Sequence, residues 1–302
     1  MSRLRITLFG GVSLAVPGPR VLPLAASCRP LLGYLLTQRR RAVPRLEVAE
    51  LLWPGQDSDS ARRCLSTALW RLKQCIGSGP PLLAACGCDD LALNDGARVW
   101  VDAWAFEQRL APLLRRDPDT LAPAELARLE RGLRLYCGPY LAGIDAEWAL
   151  IERQRLRSLY CDALYQLTLA CVARAQWARA LAWGRLLARE EPLREDVQRT
   201  LMLALAHTGN RAGALAQYRE HAQRLARELG VEPMAETRAL YQRLAQAGDV
   251  ATAPATAPAP ALPPGAADSA LGAARRRIGR VQRVLAASQL QLEAALQSLP
   301  PP

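Results

Sequence analysis

Two separate blocks of this sequence repeat at one offset. The run at 167–172, LTLACV, aligns with LMLALA at 201–206, and ARALAW at 178–183 aligns with AGALAQ at 212–217. Both offsets are 34 residues, and Ala178/Ala212, Ala180/Ala214, Leu181/Leu215 and Ala182/Ala216 are identical pairs. A period of this length holds two helices and a turn, and a unit of that size buries its apolar face only against a neighbour. Small residues at the repeated positions allow close helix approach. Gly209-Asn210 supplies a turn between helices, and Pro192 and Pro233 follow the second helix of each unit. The chain's 54 Ala and 53 Leu point the same way, since both residues favour helix.

The period is that of tetratricopeptide-like (TPR-like) helical pairs, which line a surface able to bind protein. The chain divides by texture into four expected segments. Residues 1–104 mix strand, turn and helix signals, and 105–247 are almost continuously helical in pattern. Residues 248–268 are rich in Pro and Ala and read as a semi-rigid linker. Residues 269–302 return to helical periodicity, with Leu271, Ile278, Leu285, Leu292 and Leu299 on one heptad stripe. That stripe leaves two readings open, self-association as a coiled coil and a helix that docks or stays loose.

Charge locates the working part. The 302 residues carry a formal charge of +11, with 38 Arg and a single Lys, Lys73. Residues 1–77 alone hold 12 basic and 4 acidic groups. A localised basic excess is the footprint expected for a polyanion partner. No run approaches the apolar length of a membrane helix, and Met1 to Gly11 alternates rather than forming a signal peptide core. Export is therefore not expected, and the eight Cys are expected to stay reduced.

The N-terminal segment orders as strands, three helices and a hairpin. Arg3 to Val16 alternates as a strand interrupted at Gly10-Gly11, and Arg20 to Leu24 is a further short strand. Helices are expected around Arg29–Gln38, Pro44–Leu52 and Ser60–Ile76, with Leu46, Leu51 and Leu52 facing inward on the second. Strand-like pieces at Leu82–Ala85, Leu91–Leu93 and Val99–Val101 follow, with Asn94-Asp95-Gly96 as a turn. This is the order of a winged helix. On the third helix, Leu65, Leu69, Leu72 and Ile76 form one stripe. The opposite face carries Arg63, Thr67, Trp70, Arg71 and Gln74, flanked by Arg62, Ser66 and Lys73, with no acid among them. Arg and Gln read base edges bidentately, and Arg, Lys, Ser and Thr hold phosphates. An ordinary solvated helix face shows the same pattern.

Three motifs carry a family resemblance: LEVAELLWP (46–54), SARRCLSTALWRLK (60–73) and VWVDAWAFE (99–107). Their order and spacing resemble the DNA-binding domain of SARP-type transcriptional activators, an OmpR-type winged helix. The resemblance implies that Arg62, Arg63, Thr67, Trp70, Arg71 and Lys73 fall on the DNA-facing helix. Trp70 departs from the family, which often has a smaller residue there. Downstream, Tyr136, Gly138, Tyr140-Leu141, Trp148, Glu152-Arg153 and Leu156-Arg157 resemble the bacterial transcriptional activator domain (BTAD). PLRED (192–196) and ELGVEPMAETRALY (228–241) resemble its later landmarks, so the likeness covers residues 3–246.

The expected fold is mainly α: a winged helix-turn-helix domain, an α-helical TPR-like (BTAD) domain, a Pro/Ala linker and a C-terminal helix. The expected function is sequence-specific binding of double-stranded DNA as a cytoplasmic, nucleoid-associated transcriptional activator. RNA polymerase holoenzyme is the expected protein partner, and a homo-oligomer through the C-terminal helix is a further possibility. The alternative is a TPR-type interaction adaptor without sequence-specific DNA binding. No enzyme is expected: there is no phosphate loop and no GxSxG nucleophile elbow, and the only histidines are His207 and His221. No cofactor or metal is expected either. Cys86-Gly87-Cys88 has no further ligands at compatible spacing, so these cysteines read as unpaired thiols.

Overall fold

The computed structural model describes residues 4–246 apart from 17–20, 40, 78–81, 85–88 and 95–98. The linker at 248–268, the periodic segment at 269–302, Cys86-Gly87-Cys88 and Asp95-Gly96 lie outside the described residues. By internal contacts the chain forms one unit over Met1–Asp249 and another over Val250–Pro302.

The first unit is mainly helical with a small mixed sheet at its N-terminal end. Strands β1 (Leu4–Thr7), β2 (Ser13–Ala15) and β3 (Val21–Leu22) precede α1 (Cys28–Gln38). Then come β4 (Val43–Pro44), α2 (Arg45–Leu52), α3 (Ser58–Ile76), β5 (Asp90–Leu91) and β6 (Val99–Val101). The sheet order is β3-β2-β1-β6, with β2 antiparallel and β6 parallel to β1. A winged-helix-like half results. After α3 the chain makes the expected hairpin: the Ala84 N–H donates to the Ala92 carbonyl at 2.9 Å and the Asn94 N–H to Leu82 at 2.8 Å. The Val99–Val101 piece leaves that hairpin and returns to the first sheet, where Leu4 pairs with Val99 and Ile6 with Val101.

Two leucines face the other way from expectation. Leu46 and Leu51 of α2 are both 39% exposed, and the buried residues of that helix are Val48 and Ala49. At about 100° per residue, a line through Val48, Ala49 and Leu52 puts Leu46 on the far side. In a two-turn helix, residue type alone did not show which line turns inward. Pro44 precedes the helix as its N-cap and pairs with Asp90 across β4 and β5.

The helical half comprises α4 (Asp102–Leu114), α5 (Pro123–Leu133), α6 (Glu147–Ala173), α7 (Trp177–Glu190), α8 (Glu195–His207), α9 (Arg211–Glu228) and α10 (Ala235–Gln246). The 34-residue period is present in the backbone. Helices α6 and α8 end 34 residues apart, and α7 and α9 begin 34 residues apart. Ala175 and Gly209 hold the same left-handed turn position, at φ 53° and 79°. The next residues, Gln176 and Asn210, donate their N–H groups to Cys171 and Leu205, both at 2.9 Å. Ala180 and Ala214 are buried at the seam. A Cβ on Gly184 would lie 2.9 Å from Leu201 Cδ2, so glycine here sets how closely α7 approaches α8. Arg211 caps the far end, donating to the Leu244 and Ala245 carbonyls of α10.

The two halves share one core, joined at Asp102. This carboxylate is 3% exposed and accepts the N–H groups of Leu8 at 2.9 Å, Phe9 at 3.1 Å and Ala103 at 2.7 Å. Burial pushes its carboxyl above the usual range, and the three N–H donors pull it back. On the other side of the same strand extension, the Leu141 N–H donates to Leu8 and the Gly10 N–H to Pro139. Phe9 then packs among Phe106, Tyr136 and Tyr140, with ring centroids 4.9–6.2 Å away.

Two stability outcomes are expected from this joint. Asp102→Ala leaves three buried N–H groups without an acceptor and lowers unfolding free energy by about 3 kcal/mol or more, measured by urea denaturation. Gly138→Ala places a Cβ 3.1 Å from the Gly10 Cα, backbone against backbone, and costs about 1–3 kcal/mol in the same assay.

Candidate nucleic-acid interface

The outward face of α3 is built from its caps inward. Asp57 is the N-cap, accepting the N–H groups of Asp59 at 3.1 Å and Ser60 at 2.9 Å. The Ser60 hydroxyl and these N–H groups hold its carboxyl below the ordinary carboxylate range. Gly77 ends the helix at φ 69°, its N–H donating to the Lys73 carbonyl at 3.1 Å. A left-handed terminator of this kind favours glycine.

Between the caps, Ala61, Leu65, Ala68 and Leu72 are buried, and Leu69 and Ile76 are half-buried. The two alanines were not part of the expected stripe. They carry the line of closest approach, where α3 packs on α1 and α2. The Ala68 carbonyl, for example, accepts the Cys28 thiol at 3.4 Å.

All eight residues expected on the functional face, Arg62, Arg63, Ser66, Thr67, Trp70, Arg71, Lys73 and Gln74, are exposed. Arg63, Thr67, Trp70 and Gln74 lie within about 60° of one another at helical spacing. Arg62, Ser66 and Lys73 flank them on one side and Arg71 on the other. The Ser66 and Thr67 hydroxyls donate back to the carbonyls of Arg62 and Arg63, each at 2.9 Å. Arg63 donates to the Ser60 hydroxyl at 2.7 Å. The side chains of Trp70, Arg71, Lys73 and Gln74 make no hydrogen bond or ion pair among the described residues. The face therefore offers uncommitted cations, an amide and an indole.

One acid belongs to this face after all. The helix begins at Ser58, two residues before the expected start, so Asp59 joins the first turn one turn above Arg63. Its carboxylate lies 3.7 Å from Arg62, and both side chains are mostly exposed. From Ser60 onward the face carries no acid.

The remaining candidates sit elsewhere. Cys64 and Cys75 flank α3 half-buried, with thiols directed at Gln56 Oε1 and the Pro23 carbonyl. His207 stacks on Trp177 with centroids 3.9 Å apart, and His221 is buried. Among the described residues, no group of three or more His, Cys, Asp or Glu is placed to hold a metal ion. No helix among them is long and apolar enough to cross a membrane. Sequence reasoning named Arg153 in a landmark but gave it no role; its guanidinium donates to the carbonyls of Tyr140, Leu141 and Ile144 at 2.8–2.9 Å and fixes the loop before α6. An Arg within the Glu152-Arg153 landmark was the available signal.

Comparison with known proteins bears on this arrangement. Residues 101–245, from the end of β6 to α10, match the bacterial transcriptional activator domain. The chain is 29% identical over 255 residues to the regulatory protein AfsR of Streptomyces coelicolor, covering 81% of this chain and 24% of AfsR. It is 30% identical over 221 residues to the transcriptional regulator RedD of the same organism, covering 69% of this chain and 61% of RedD. The chain thus spans about a quarter of the one relative and less than two thirds of the other. Its fold matches Mycobacterium tuberculosis EmbR, solved in complex with a low affinity phosphopeptide, with a TM-score of 0.67 at 22% identity over 82% of this chain and 66% of that one. A winged-helix-like half thus leads directly into a bacterial transcriptional activator domain over residues 101–245, and over most of its length the chain is similar to the regulators AfsR and RedD.

Proposed function

We propose that the chain is a sequence-specific DNA-binding transcriptional activator that presents α3 to the major groove. The observation that carries this reading is the exposed face of α3, where Arg63, Trp70, Arg71, Lys73 and Gln74 project away from a fully packed opposite face. In the proposed division of labour, residues 1–104 bind double-stranded promoter DNA. Residues 105–247 contact RNA polymerase, and the protein acts at the nucleoid in the cytoplasm. Arg63, Arg71 and Gln74 have the donors to read base edges, and Arg62 and Lys73 are placed to hold phosphates. The regulator names of AfsR and RedD support the reading. The heptad stripe at 269–302 is the proposed means of self-association.

The test uses the full chain and a duplex recovered by genome-wide footprinting. Affinity falls steeply as salt rises, because each neutralised phosphate releases counterions. Lys73→Ala weakens all duplexes alike and reduces the log–log salt slope by about 1. Arg63→Ala with Arg71→Ala weakens the footprinted duplex by about 1–3 kcal/mol for each base edge that goes unread. Fluorescence anisotropy reads both effects. Since these side chains are exposed, unfolding free energies in urea stay within about 0.5 kcal/mol of wild type. Unchanged DNA affinity in the double variant favours the alternative, an interaction adaptor built on the helical repeat.

A further inference from the structure

Trp70 sits at the centre of the outward face of α3. At about 100° per residue, Arg63, Trp70 and Gln74 fall within about 40° of one another. They point directly away from the buried line of Ala61, Leu65, Ala68 and Leu72. When a helix lies in a groove, the centre of its outward face goes deepest and its flanks meet the walls. Here the flanks are cationic, with Arg62 and Lys73 on one side, which suits a phosphate wall, and Arg71 on the other. The deepest position holds an indole.

Nothing in the fold requires that indole. Trp70 is 61% exposed, and it makes no ring contact, cation–π contact or hydrogen bond among the described residues. The neighbouring hydroxyls of Ser66 and Thr67 are turned back onto helix carbonyls. Polar reading near the centre therefore falls to Arg63 on one side of Trp70 and Gln74 on the other. A large apolar ring gains most from apolar surface. In the major groove of DNA the exposed apolar feature of the base pairs is the thymine C5-methyl group.

We propose that Trp70 is a specificity-determining residue that packs against the C5-methyl group of a thymine. This rests on the DNA-binding reading above and adds to it the base that the centre of α3 selects. Arg63 and Gln74, one above and one below Trp70 on the helix, fix the register in which the indole meets that methyl.

The experiment uses the full chain and a duplex that the wild type selects from a random-sequence pool. Each thymine is replaced in turn by deoxyuridine, which removes the methyl and leaves the hydrogen-bonding edge unchanged. At one position the replacement weakens wild-type binding by about fourfold, the effect of burying one methyl group. Trp70→Ala binds more weakly and no longer distinguishes thymine from deoxyuridine there, and Trp70→Phe retains part of the discrimination. Circular dichroism and the urea midpoint of Trp70→Ala match wild type, since the side chain is exposed. A wild type that selects a sequence yet tolerates every deoxyuridine overturns the proposal, as does full methyl discrimination by Trp70→Ala. A wild type that selects no sequence overturns the DNA-binding reading itself, which is a separate and recognisable result.

Discussion

The buried carboxylate of Asp102 is the interaction on which the two halves of this fold depend. It stands at the first position of α4, where the helix N-terminus favours negative charge. From there it accepts the N–H groups of Leu8 and Phe9, just beyond the end of β1. Those groups have no strand partner on that side, because β6 ends at Val101 and the chain turns into a helix. A side chain thus continues a sheet edge at the point where the backbone stops. The opposite edge of the same extension is taken by Pro139 and Leu141. The short stretch Leu8–Gly10 that follows β1 is therefore hydrogen-bonded to both ends of the segment that carries α4 and α5.

Around this joint the remaining contacts follow from packing. Thr37 and Tyr140 share a hydroxyl hydrogen bond at 2.7 Å, and the Trp104 indole N–H donates to the Leu36 carbonyl at 3.2 Å. Tyr34 meets Trp148 edge to face. Glu107 pairs with Arg39 from the winged-helix-like half and with Arg155 from α6. Charges this close to the surface add little singly. The rigidity comes from the buried hydrogen bonds and the shared core. A piece ending near residue 110 would lose the Tyr140 loop and half of this joint, so α3 belongs to a larger folding unit than its sequence motif implies.

Most of the helical half was legible because it is repetitive. Alanines at 34-residue spacing mark the seam, and the turns at Ala175 and Gly209 obey the same period. The outward face of α3 was legible too, because a long amphipathic helix averages over several turns. Short elements were less so. In α2, two turns long, Leu46 and Leu51 are no more informative than Val48 and Ala49 until the neighbours of the helix are known. The joint was half visible: the motif VWVDAWAFE contains both Asp102 and Phe106. That the acid bonds across 94 residues to Leu8 is a tertiary fact that no local pattern carries.

The same contrast explains how the joint bears on the face of α3. Helix α3 packs on α1, and α1 is fixed to the helical half through Tyr34, Leu36 and Thr37. Each link is either a partly buried hydrogen bond or a close aromatic contact. The placement of α3, and with it of Arg63, Trp70 and Gln74, therefore depends on the start of the helical half as well as on the small sheet. Reading bases by side-chain contact requires atoms held within a fraction of an ångström, and exposed side chains gain that precision only from a rigid backbone. On this view the BTAD half acts as a scaffold for the outward face of α3 as well as a surface for partners. Substitutions at the Asp102 joint then act on that outward face from a distance, through the packing of α1 against α3.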